Sequence, residues 1–197
     1  MMRRILTICL FFIYTLSSFA QAQKKVIIIN KEEAEAAYKY LNEFRANPAK
    51  MMKALNIKFD ASKVSKVQLT WNEELARTAE KRAYDMAERN YFDHVTPEGK
   101  GPNYFINEGG YTLRPDWLKK IETNNFESIG ANHATAVDGV KAFIIGVGSP
   151  GFMHRKHVLG MDDWNGSLYD IGIGFAQVEN GSPYKTYLCV LIAKHDW

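Results

Sequence analysis

Cysteine is nearly absent from this sequence. Its 197 residues include two, and one of them, Cys9, lies in the leading apolar stretch. With Cys189 alone in the remainder, an intramolecular disulfide is excluded for a processed chain, although small exported domains often depend on such bridges. The fold must therefore rest on its core, and about 175 residues suffice to bury one. Neither sign of charge dominates: 25 Lys and Arg stand against 22 Asp and Glu, interleaved along the chain. That argues against nucleic acid as a partner, which calls for a basic patch. Also missing are a run of about 20 apolar residues able to span a bilayer, internal repeats and low-complexity linkers. No serine sits in a nucleophile-elbow motif, and Cys189, among Leu188, Val190 and Leu191, reads as inert packing. A hydrolase built on this chain would have to activate a water.

What is present begins with Arg3 and Arg4 ahead of "ILTICLFFIYTLSSF" and "AQAQ". A basic start, a short apolar stretch and small residues at −3 and −1 of a cut describe a secretory signal peptide. Cleavage after Ala20 or Ala22 fits, giving a signal over 1–22 and one domain over 23–197 in the periplasm or outside the cell. Losing Arg3 and Arg4 brings the net charge from +3 to about +1. No cysteine follows the cut, which argues against a bacterial lipid anchor. The mature protein is expected not to span a membrane.

Two helices are legible. "KEEAEAAYKYLNEFRANPAKMM" places Ala34, Tyr38, Leu41, Phe44 and Arg45 at helical spacing, with Pro48 expected to break or re-aim it. "LTWNEELARTAEKRAYDMAERN" has Asn72 as N-cap, Glu73 and Glu74 at the positive helix end, and Leu75, Ala79, Arg82/Ala83 and Met86 on one stripe. Residues 99–126, rich in Gly, Asn and Pro, read as a long loop with a short helix at Pro115–Ile121. The C-terminal part changes to period two: Ile171, Ile173 and Phe175 alternate with Gly172, Gly174 and Ala176. Asn180-Gly181 marks a turn, and Tyr187–Ala193 is apolar on both faces. Such a strand needs cover on both sides, hence a sheet between helices, and its glycines leave room for a helix to approach.

Taken in order, "LNEFRANPA", "YFDHVTPEGKGP", "ESIG", "SPGFMHRKHVLG" and "IGIGFA" resemble the motifs of the CAP superfamily, also called SCP or PR-1-like domains, in its bacterial form. The resemblance implies an α+β fold, a three-layer α–β–α sandwich with a mainly antiparallel central sheet. It also implies that His94, Glu127 and His154 face one open cavity. Two neutral imidazoles with water form an incomplete site for Zn²⁺ or another divalent cation, and Glu127 can bind the ion or orient a histidine. A small or lipid-like ligand or a cell-envelope partner is a further implied possibility.

The chain departs from the family's motifs at several positions. Phe143, Ile144 and Ile145 occupy the region where many eukaryotic members carry a second glutamate. Ser128 replaces the asparagine of E-N-I, Met153 the glycine before the histidine, and His157 the asparagine of H-R-x-N. His157, three residues beyond His154, can share a helix face with it, but is expected to bond nearby backbone in a structural role. His133 is expected in a loop and His195 in solvent. Three functions stay open. The favoured one is an exported metal-binding module, more a binder than an enzyme. The others are a metal-assisted hydrolase of peptides or envelope material, with His94, Glu127 and His154 as its working groups, and a structural interaction domain.

Overall fold

The computed structural model of the protein describes residues 24–146 and 148–195; the signal segment read at 1–22 lies outside them. Strand β1 (Ile27–Ile29) leads into helix α1 (Lys31–Ala46), whose Asn30 side chain caps Glu33 N–H, and α2 (Pro48–Ala54) restarts the chain at Pro48. A two-residue strand β2 (Thr70–Trp71) precedes α3 (Glu73–Arg89), capped by Asn72, and α4 (Pro102–Glu108) follows. Strand β3 (Glu127–Ala131) comes next, then α5 (Ala136–Ile145), α6 (Met153–Leu159), α7 (Asp163–Gly166) and the hairpin β4 (Asp170–Val178) and β5 (Thr186–Ala193).

The sheet runs in the order β1-β4-β5-β3, all antiparallel, and β2 adds a short parallel pairing to β4. Every residue of β5 is buried, as expected of a strand apolar on both faces. Helix α3 covers one face with Leu75, Ala79, Ala83 and Met86 fully buried. The other face carries α1, α5 and α6. The layers are set by strand alternation: Gly172 and Gly174 lie under α3, while Ile171, Ile173 and Phe175 point to the opposite helices.

The glycines let α3 settle directly on the sheet. A Cβ on Gly172 would stand 2.2 Å from the Ala76 nitrogen, and one on Gly174 2.3 Å from the Ala79 carbonyl carbon. These neighbours are backbone and cannot swing aside. Gly174→Ala is therefore expected to lower stability by about 1–3 kcal/mol, as overpacking does. An unchanged urea midpoint would mean that the helix does not rest there.

The stretch 99–126 is less loop-like than its composition suggests. Pro102 starts α4 at a position where its missing N–H costs nothing, and the helical turn at 115 is a 3₁₀ segment ending at Leu118. Buried Asn103 ties the segment together, donating to Trp117 O at 2.8 Å and accepting from Asn125 N–H at 3.0 Å.

Candidate functional site

Strand β3 is an edge of the sheet, so its alternation sends two adjacent side chains to opposite layers. Glu127 points to the α3 layer and Ser128 to the α6 layer. Asn124 sets up this entry by accepting from the Phe126 and Glu127 N–H groups at 3.2 and 3.0 Å.

On the α3 side, Arg82 organises the site. Its Nε donates to Glu127 Oε1 at 2.9 Å, and its Nη2 reaches Oε2 at 3.4 Å, with the two side chains 2% and 0% exposed. The same Nη2 donates to the carbonyls of Asp93 (3.2 Å) and His94 (2.9 Å), and Nη1 donates to the Tyr91 hydroxyl (2.8 Å). Tyr91 in turn donates to Asp85 at 2.6 Å. One guanidinium thus grips both the buried carboxylate and the loop carrying His94. His94 Nδ1 lies 2.8 Å from Glu127 Oε2, and its side chain is 35% exposed. The Cys189 thiol points at Glu127 Oε1 from 3.4 Å.

Burial alone would raise the Glu127 pKa, but the bonds from His94 and Arg82 hold it below the ordinary carboxylate value. Arg82 feels the reverse balance: burial weakens its charge, and Glu127 more than restores it. Burial pushes the Cys189 thiol well up, reinforced by the adjacent carboxylate. It is a neutral donor here, not a nucleophile.

On the α6 side, Ser128 Oγ lies 2.9 Å from His154 Nδ1 and 2.8 Å from His157 Nδ1. Helix α6 is held by buried Arg45, which donates through Nε and Nη2 to the Val158 carbonyl at 3.2 and 3.0 Å. The His154 backbone N–H donates to Ser149 Oγ at 3.1 Å. Phe143, in the apolar region where many eukaryotic members carry a second glutamate, stacks on the His154 ring with centroids 4.7 Å apart. Burial lowers the His154 pKa, and so does the nearby His94 ring. The two histidines thus stand in different layers, His94 bonded to Glu127 on the α3 side and His154 to Ser128 on the α6 side.

His157 was expected to bond nearby backbone; its Nδ1 partner is the Ser128 hydroxyl, and the Ile192 backbone also acts on the ring. Its ring is buried, and burial, His154 and Arg45 bring its pKa down to about 3, with the Ile192 backbone pulling the other way. Its Nε2 completes no hydrogen bond among the described residues. His133 lies apart, half-buried against Gly130 and Gly139. His195 is largely exposed, as expected, yet its Nδ1 sits 2.6 Å from buried Asp170, which also accepts from Tyr111 at 2.7 Å.

His94 and His154 each spend Nδ1 on a partner within the protein and leave Nε2 with none among the described residues. Both Glu127 oxygens are occupied by Arg82, His94 and Cys189. Of the two roles open to that carboxylate, its geometry serves orientation. Among the described residues no three His, Cys, Asp or Glu side chains gather to hold a metal ion, so any ion held by His94 and His154 would need water to complete its coordination. Two large clefts lie elsewhere: one of 670 Å³ between α3 and α4, lined by Lys81, Phe105 and Glu108 and backed by Arg82, and one of 720 Å³ beside the β4–β5 turn.

Sequence reasoning missed Arg82, which it counted as part of an apolar stripe. A cation on a buried stripe was the available signal, since it demands a buried anion.

No helix of the described residues is long and apolar enough to cross a membrane. No curated protein matches the chain. Among solved structures, it is similar to an outer surface protein from Borrelia burgdorferi, with 16% identity, TM-score 0.54, and 87% of this chain and 100% of that one covered. It is also similar to an extracellular protein containing an SCP domain from Bacillus anthracis, with 20% identity and TM-score 0.48; 83% of this chain is covered but 41% of that one, so the chain spans less than half of that protein. The pattern of CAP, the cysteine-rich secretory protein family, matches residues 38–191. The chain belongs to the CAP family.

Proposed function

We propose that this is an exported CAP domain that binds a divalent cation, with zinc as the reference ion, between His94 and His154. The observation that carries this reading is the pair of Nε2 atoms without partners, each backed by an anchored Nδ1. Ionised Glu127 accepts from His94 Nδ1–H and so exposes the lone pair on Nε2, the arrangement that commonly backs a metal-bound histidine. His154 receives its anchor from Ser128. A bound ion would supply positive charge and positions for water or an anionic group of a partner. The signal-like stretch at 1–22 supports export, as does the outer-surface setting named for the similar Borrelia burgdorferi protein.

Calorimetric titration of the purified protein with zinc tests this reading. Affinity should be steady near pH 7.5 and weaken below about pH 6.5, where protons compete for imidazole lone pairs. His94→Ala and His154→Ala should each remove most of it, and Glu127→Gln should cost roughly 10–100-fold. Equal affinity in the wild type and the His94→Ala/His154→Ala double variant would refute the site. Chelator-sensitive hydrolysis of peptides or envelope material, lost in the same variants, would favour the hydrolase instead.

A further inference from the structure

The ion-binding reading leaves His157 without a task. Its ring is buried, its Nδ1 faces Ser128 Oγ, and that hydroxyl also faces His154 Nδ1. A serine hydroxyl has one proton to give. Between two neutral imidazoles it donates to one Nδ1 and accepts from the other, so the two tautomers are tied in opposite senses.

If Ser128 donates to His154, the His154 proton sits on Nε2 and no lone pair faces an ion. If Ser128 donates to His157, His154 Nδ1 carries the proton and its Nε2 is bare. The choice is made at the far side of His157. There Nε2 is buried without a hydrogen bond among the described residues, and with Nδ1 taken up by Ser128 it is the nitrogen left to feel the Ile192 backbone, whose influence favours a proton on the ring. A proton on that nitrogen is attracted to the carbonyl, whereas a lone pair is repelled by it. The second arrangement is favoured.

We infer that His157 is a positioning residue which, acting through Ser128, fixes His154 in the Nδ1–H tautomer and keeps its Nε2 available to a divalent cation. This rests on the ion-binding reading for its purpose, but not for its test. Ser128 and His157, both departures from the family's motifs, are then two halves of one device. It does on the α6 side what Glu127 does for His94 on the α3 side.

Two-bond ¹H–¹⁵N correlation spectra of the ion-free, ¹⁵N-labelled protein near pH 7.5 report which imidazole nitrogen carries the proton. In the wild type, His154 should show a protonated Nδ1. His157→Phe keeps a buried ring but removes the acceptor, and Ser128→Ala removes the relay. In both, His154 should shift toward Nε2–H, the form free imidazole side chains prefer, and calorimetric zinc affinity should fall roughly 10–100-fold. His157→Asn, which keeps an acceptor near the Nδ1 position, should restore both signals. Thermal melts identify a variant that has merely unfolded, in which case Ser128→Ala decides. A wild-type His154 protonated on Nε2, or a folded His157→Phe or Ser128→Ala protein with His154 still protonated on Nδ1, would overturn the inference. Wild-type protein with the expected tautomer but no zinc affinity would instead remove the ion-binding reading.

Discussion

Arg82→Met should lower the free energy of unfolding by about 3–5 kcal/mol, the usual cost of breaking a buried ion pair from one side. Methionine keeps a long apolar stem against the Arg82 surroundings, so the loss isolates the charge and its hydrogen bonds. Glu127 would be left in the interior with only His94 and Cys189 for partners. The carbonyls of Asp93 and His94 would lose their donor, freeing the His94 loop. Adding Glu127→Gln should recover part of the loss, because the uncompensated charge is then gone. The pH profile gives an independent reading. Glu127 has a lowered pKa when folded, so its contribution is complete above the unfolded value near 4.5 and is lost as pH falls through the folded value. In Glu127→Gln that acid-sensitive component should vanish. Urea denaturation at neutral pH measures the main effect, and a change below about 1 kcal/mol would reduce the pair to the worth of a surface salt bridge.

Much of the sandwich was legible because burial imposes periods. The stripe from Leu75 to Met86 and the alternation of Gly172 and Gly174 with Ile173 and Phe175 each named a face before any layer was known. Helix α4 was not legible: seven residues beginning at Pro102 carry too little periodicity to stand out in a Gly- and Asn-rich segment. The site was legible by resemblance and opaque to spacing. Glu127 and Ser128 are neighbours in sequence, and only their place on an edge strand shows that they serve opposite layers. His157 presented a different difficulty. Its three-residue offset from His154 suggested a shared metal or a backbone bond, whereas its partner, Ser128, lies on another element. Arg82 was visible all along as a charge on an apolar stripe, but its anion lies 45 positions away.

Phe175→Ala should destabilise the protein by a similar amount, about 3–5 kcal/mol, through a different physical route. The ring is fully buried on β4, the strand paired on both sides by β1 and β5, and it faces the helices opposite α3. Truncation leaves a cavity whose walls are strand and helix and can collapse only in part. Among the described residues no hydrogen bond links Phe175 to His94, Glu127, Ser128 or His154; its backbone carbonyl accepts from Asn30 N–H at 2.9 Å. Effects at such separated positions are close to additive, so zinc affinity should survive in the folded Phe175→Ala protein while Arg82→Met loses it. Two variants matched in stability would then differ in the site alone, and the difference would belong to the Arg82 grip on Glu127 and the His94 loop. Parallel loss of zinc affinity in both would mean that the histidines depend on the tightness of the whole core. An unchanged melt for Phe175→Ala would mean that the ring does not pack in the core between the sheet and those helices.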